Sequence, residues 1–138
     1  MKHFEFLEHT ADVIVRASGD NLEEAFAAAG EAMFALITDI SSIEPVKEIS
    51  IEIESPDRNS LLVRFLSELI LIHEVDLMLF REIDVTLRDD NQLTAVGYGE
   101  RFDPNRHEPG LHVKAVSYHM LEIAEETDKA WVQVLFDV

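Results

Sequence analysis

Cysteine is absent from the 138 residues, which excludes disulfides, thiolate nucleophiles and Cys-type zinc or iron–sulfur centres. Basic residues are scarce: 11 Lys and Arg stand against 28 Asp and Glu, for a formal charge of −17. Contact with nucleic-acid backbone is driven by cations that displace condensed counterions, so strong direct nucleic-acid binding is not expected. The same deficit works against adsorption to an anionic membrane leaflet. No apolar run approaches the roughly 20 residues that span a bilayer, and Met1-Lys2-His3-Phe4-Glu5-Phe6 holds no apolar signal segment. No membrane association and a cytoplasmic location are therefore expected. Glycine and proline, at 5 and 4, are too few to build a flexible linker. The glycines at 19, 30, 97, 99 and 110 form neither a P-loop nor a dinucleotide fingerprint,. There is no Gly-x-Ser-x-Gly elbow either, so an enzyme with its own nucleophile is not expected. Gly97-Tyr98-Gly99 reads as backbone freedom near the end of a strand.

What is present is a folded chain. Hydrophobic residues make up 47% of it, too many for an acidic disordered tail, and the length suits one domain, residues 1–138. Leu22, Ala25, Phe26, Ala29, Met33, Leu36 and Ile37 recur at three- and four-residue spacing. This predicts a helix over 22–37, capped by Asp20 or Asn21. A second helix is predicted over about 59–75, capped by Asp57, Asn59 or Ser60, and its wider stripe from Leu61 to Ile72 predicts deeper burial. Ile49, Ile51 and Ile53 alternate with polar residues as in a strand near a sheet edge. Further strands are predicted at 12–17, 79–87, 93–99, 113–123 and 131–138, with a short extended piece at 4–7. Strands joined by hairpins pair antiparallel, so the expected fold is α+β, two helices packed on an antiparallel or mixed sheet.

Three groups of residues could carry chemistry. His107 and His112, with Asp103 and Glu108, supply nitrogen and oxygen donors on one loop, but their spacing matches no ligand geometry, and solvated loop residues are the competing account. Lys114 and His119 lie in Lys114-Ala115-Val116-Ser117-Tyr118-His119, where strand alternation would put Lys114, Val116 and Tyr118 on one face and Ser117 and His119 on the other. The third group pairs the two ends of the sequence. His9-Thr10-Ala11-Asp12 opens one strand. Trp131 to Phe136, apolar on both faces but for Gln133, reads as a central strand ending in Asp137-Val138. If Asp12 lies beside them, the Asp12 and Asp137 side chains and the Val138 carboxylate converge, which requires a hard cation or a basic partner. The alternative is that Asp12 caps a turn with Thr10 while the last residues fray.

Taken together, Glu8-His9-Thr10-Ala11-Asp12, Leu22-Glu23-Glu24-Ala25-Phe26, Leu36-Ile37-Thr38-Asp39, Leu62-Val63-Arg64-Phe65-Leu66-Ser67-Glu68-Leu69, the Lys114 to His119 strand and Val134-Leu135-Phe136-Asp137-Val138 resemble the archease family. Archeases are accessory proteins of the RtcB-type RNA ligase. The resemblance implies an α+β fold and a role in promoting guanylylation of that ligase, which uses GTP, so that it turns over repeatedly in tRNA splicing and RNA repair. It also implies a divalent metal held by Asp12, Asp137 and Val138, calcium first, with Mg²⁺ or Mn²⁺ as alternatives, and it makes Lys114, His119 and His9 neighbours of that site. Ser117 stands where threonine is common, Met120 where asparagine is common, and Val138 where isoleucine is common. Two rival functions are a stand-alone metal-dependent phosphoesterase or nucleotide hydrolase, and an acidic chaperone-like protein acting through overall charge.

Overall fold

The computed structural model describes residues 1–9 and 11–138; Thr10 and the side chains of Glu8 and His9 lie outside the described residues. Among the described residues the order is β1 (His3–His9), β2 (Asp12–Gly19), α1 (Leu22–Ile37), β3 (Lys47–Glu54), α2 (Arg58–Asp76), β4 (Met78–Arg88), β5 (Gln92–Arg101), β6 (Ala115–Glu125) and β7 (Ala130–Asp137). A short 3-10 turn at Ile40–Ser42 leads from α1 toward β3. The strands form two sheets, ordered β1-β2-β7-β6 and β3-β5-β4, and every pairing is antiparallel. The α+β class holds, with two sheets rather than one. As expected, β7, apolar on both faces, is central, and β3, alternating with polar residues, is an edge. No helix is long and apolar enough to cross a membrane.

Local chemistry sets the helix ends. Asn21 caps α1, its side chain accepting the Glu24 N–H at 2.9 Å, and Asp57 caps α2 by accepting the Ser60 N–H at 2.8 Å,. The depth of the helices is the reverse of the expectation. α1 buries 11 of its 16 residues and α2 only 8 of its 19. The difference lies in small residues: Ala27, Ala28, Gly30 and Ala32 widen the buried surface of α1 beyond its aliphatic stripe, so that β2 and β7 of one sheet and β4 of the other can all pack on it. α2 packs mainly against β6 and leaves Leu71 and Val75 exposed.

The same α1 closes one edge of the smaller sheet. The Ile83 N–H donates to Glu31 Oε2 at 2.9 Å and the Leu87 N–H to Glu23 Oε2 at 2.8 Å, while Lys2 Nζ donates to the Ile83 carbonyl at 3.2 Å. Eight helical residues rise about 12 Å and four strand residues about 13 Å, so two carboxylates on one helix face can meet two outward N–H groups of β4. Burial pushes the Glu31 carboxyl above its ordinary range, against the pull of Lys2 and the Ile83 N–H. The β5 glycines have a different reason from the one expected. Neither has positive φ; instead a Cβ at Gly97 would sit 2.7 Å from the Phe80 ring and one at Gly99 1.7 Å from the Leu79 carbonyl oxygen.

Candidate functional site

Strand register brings the two ends of the sequence together. β2 and β7 pair so that Asp12 stands directly opposite Asp137, with Val13 opposite Phe136 and Ile14 opposite Leu135. The odd residues of β2 and the even residues of β7 face the core: Val13, Val15, Val132, Val134 and Phe136 are fully buried. Period-two alternation therefore turns Asp12 and Asp137 to the opposite face. Residues paired in this way have Cβ atoms about 4.5–5.5 Å apart, and like charges there repel. Among the described residues neither carboxylate has an ion-pair partner, and no group of three or more His, Asp or Glu side chains is placed to hold a metal. The pair supplies only carboxylate oxygens, a donor set that fits a hard cation, and a further oxygen donor would complete it.

The other candidates fall at different distances. The Val138 N–H donates to the Ala11 carbonyl at 3.4 Å, and the Lys114 N–H to the Asp137 carbonyl at 2.8 Å. Both residues thus flank the aspartate pair, although β6 itself starts one residue later, with Ala115 opposite Asp137. The Lys114 side chain is exposed. The side chain of His9 lies outside the described residues. His119 is not carried to the aspartates by simple alternation. β6 follows β7 in register only to Ser117 and resumes at Glu122, so 118–121 form a large bulge,. The even-odd assignment of Tyr118 and His119 to strand faces therefore fails. Within the bulge the His119 N–H donates to Ser117 Oγ at 3.0 Å, and Met120 takes a left-handed backbone with φ 61°. Tyr118, His119 and Met120 are exposed.

Gln133, the one polar residue inside β7, secures that bulge. It is buried; its Nε2 donates to the Met120 carbonyl at 3.0 Å, and its Oε1 accepts from Arg16 Nη2 at 2.8 Å. The Arg16 guanidinium lies 4.7 Å from the centre of the Trp131 ring, a cation–π stack on the sheet face that also carries Asp12.

The loop histidines separate rather than converge. His107 is buried, its Nδ1 accepting the Asp103 N–H at 2.9 Å and its Nε2 lying 2.9 Å from Glu100 Oε2. An Nδ1 that accepts assigns the ring proton to Nε2, which then donates to Glu100. His112 instead pairs with Glu74 of α2 at 2.7 Å, both side chains being exposed. The loop is thus a structural strap. Its organising residue, Glu100, was not anticipated: it also accepts the Glu44 N–H at 2.8 Å and pairs with Arg106. Desolvation opposes ionisation of Glu100, but the bonds from Glu44, Arg106 and His107 outweigh it and hold the carboxyl below its ordinary range. The sequence signal that could have exposed it is a glutamate closing a strand, six and seven residues before an Arg-His pair.

Residues 4–138 match the Archease protein family. A protein archease of Pyrococcus abyssi is 40% identical over 138 residues, covering 98% of this chain and 97% of the relative. The solution structure of a Methanobacterium thermoautotrophicum protein superposes with a TM-score of 0.80 at 39% identity, covering 98% of each chain. A Thermotoga maritima archease, described as a possible chaperone, shares the fold at 18% identity and a TM-score of 0.64, with 96% of this chain and 94% of that one covered.

Proposed function

Because this chain belongs to the archease family and sets Asp12 against Asp137 at one end of its larger sheet, we propose that it activates an RtcB-type RNA ligase, promoting guanylylation and repeated turnover. The supporting observation is the pairing of two like charges with no basic side chain bonded to either among the described residues. Such a pair is costly alone and becomes favourable when a cation or a cationic partner is added. Asp12 and Asp137, with Val138 beside them, would hold a divalent ion, calcium first. A bound ion would supply a positive charge able to meet phosphate oxygens.

In this reading the chain's residues position rather than react. The aspartate pair would dock beside the ligase active site and help orient the ligase histidine for attack on GTP, with pyrophosphate as the leaving group, or dislodge a stalled state. Lys114, fixed to Asp137 through its backbone, stands ready for a phosphate or carboxylate of the partner. Locating the activity in the cytoplasm follows from the same reading.

The test is ligase guanylylation with GTP, stimulated by the parent protein, by Asp12→Ala and by Asp137→Ala, each shown to be folded. Stimulation is expected to fall at least tenfold with either variant, and parental stimulation by both would overturn the proposal. The Thermotoga relative's description as a possible chaperone favours one second reading, protection of partners through overall charge. That reading expects activity to follow net charge and salt, indifferent to single carboxylates.

A further inference from the structure

The two edges of the smaller sheet are treated differently. On β4 the outward Ile83 N–H and C=O and the Leu87 N–H are met by Glu31, Lys2 and Glu23 of the chain itself. β3 has no strand neighbour on its other side among the described residues. The Ser55 N–H bonds the Asn91 carbonyl at 3.0 Å in the register that pairs Glu54 with Gln92. Odd residues of β3 therefore bond β5, and the N–H and C=O groups of Glu48, Ser50, Glu52 and Glu54 point to the open side. Of these the Glu54 carbonyl is taken, by Arg64 Nη1 at 2.8 Å.

Beside that edge runs a groove of about 380 Å³ between β3 and α2, lined by Glu52, Ile53, Glu54, Arg64, Glu68 and Leu71, among others. Leu71 is 53% exposed, an aliphatic side chain facing the groove. On the face of β3 turned away from the helices, Glu48 and Glu52 are exposed and have no ion-pair partner among the described residues, and Glu82 and Asp84 of β4 carry the charge across the same face.

We propose that the free edge of β3 docks an extended segment of a partner protein in which Lys or Arg alternates with aliphatic residues, added as a fourth strand to the β3-β5-β4 sheet. Main-chain bonds to Ser50 and Glu52 give register, aliphatic residues enter the groove beside Ile53 and Leu71, and the cations meet Glu48 and Glu52. A second copy of this chain is the wrong occupant. Antiparallel pairing of β3 with itself would bring one row of glutamates against another, and charged edges of this kind resist self-association. The site is separate from the Asp12–Asp137 pair and stands whether or not ligase activation does.

The experiment titrates isotope-labelled protein with a synthetic ten-residue peptide of alternating Lys and Val, and with its Glu-Val counterpart. Expected are saturable binding of the basic peptide only and at least tenfold slower amide exchange at Ser50 and Glu52. Ser50→Pro removes one outward N–H and no bond to β5; its binding should weaken at least tenfold. Glu48→Lys with Glu52→Lys, which leaves the backbone intact, should transfer preference to the acidic peptide. Binding of neither peptide, binding untouched by both variants, or concentration-dependent protection of β3 without peptide would each overturn the proposal.

Discussion

Met120 shows how one residue can carry a cost that its neighbours impose. Its carbonyl is held by Gln133 and its φ of 61° lies in the left-handed region, where a Cβ costs roughly 1–2 kcal/mol and asparagine is tolerated best among residues other than glycine. The bulge thus fixes a backbone geometry that asparagine fits better than methionine,. Met120→Asn is therefore expected to stabilise the protein by about 0.5–1 kcal/mol, or roughly 2–4 °C in Tm for a domain of this size. Met120→Ala, which keeps a Cβ and gains no local hydrogen bond, should give no increase. Thermal melts of the three proteins check this, and a rise for alanine equal to that for asparagine would remove backbone strain as the cause.

Among the elements, the strap from Phe102 to Lys114 depends on one carboxylate. Glu100 gathers the Glu44 N–H, Arg106 and His107, and its carboxyl is held below the ordinary glutamate value of 4.5. A carboxyl lowered on folding contributes stability that is complete above its unfolded value and is lost as pH falls through its folded value. Amide protection factors across 102–114, taken relative to the intrinsic exchange rate at each pH, are thus expected to fall as pH drops below 4.5. Glu100→Gln should lower Tm at pH 7 and lose that acid dependence, the gap to the parent closing in acid. Elements of this kind mark what sequence alone could tell. Helix spans, caps, the central place of β7 and the edge place of β3 follow from periodicity and local polar chemistry. From the residues alone the approach of Asp12 to Asp137 was only one of two readings, beside a capped turn and a frayed end, and the family resemblance was what joined them; the β2–β7 register sets the two opposite each other. The strap and the β6 bulge were not legible, because Glu100 acts on groups up to 56 residues away and the bulge is fixed from β7 by Gln133. Nor was the depth of α1, since alanines that admit a second sheet look the same in sequence as alanines that face water.

For the whole molecule the question is how much of the −17 charge is general and how much is a site. Residues 1–57 hold 13 acidic and 3 basic groups, and residues 58–138 hold 15 and 8, so repulsion is spread along the chain and should respond to simple screening. The Debye length shrinks from about 30 Å at 0.01 M salt to about 10 Å at 0.1 M. Added NaCl should accordingly raise Tm by a few degrees in the parent and in Asp137→Ala alike. The aspartate pair should behave differently. Without divalent ions, Asp137→Ala relieves a like-charge contact and is expected to melt at or slightly above the parent. With CaCl₂ at matched ionic strength the parent should gain about 2.7 kcal/mol at a hundredfold excess over Kd, roughly 8 °C, and the variant far less. The order of the two melting temperatures then reverses between the two buffers. Screening cannot produce that reversal, because it acts on both proteins in the same direction, so calcium shifts of equal size in the two would assign the whole effect to the diffuse charge and none to the Asp12–Asp137 pair.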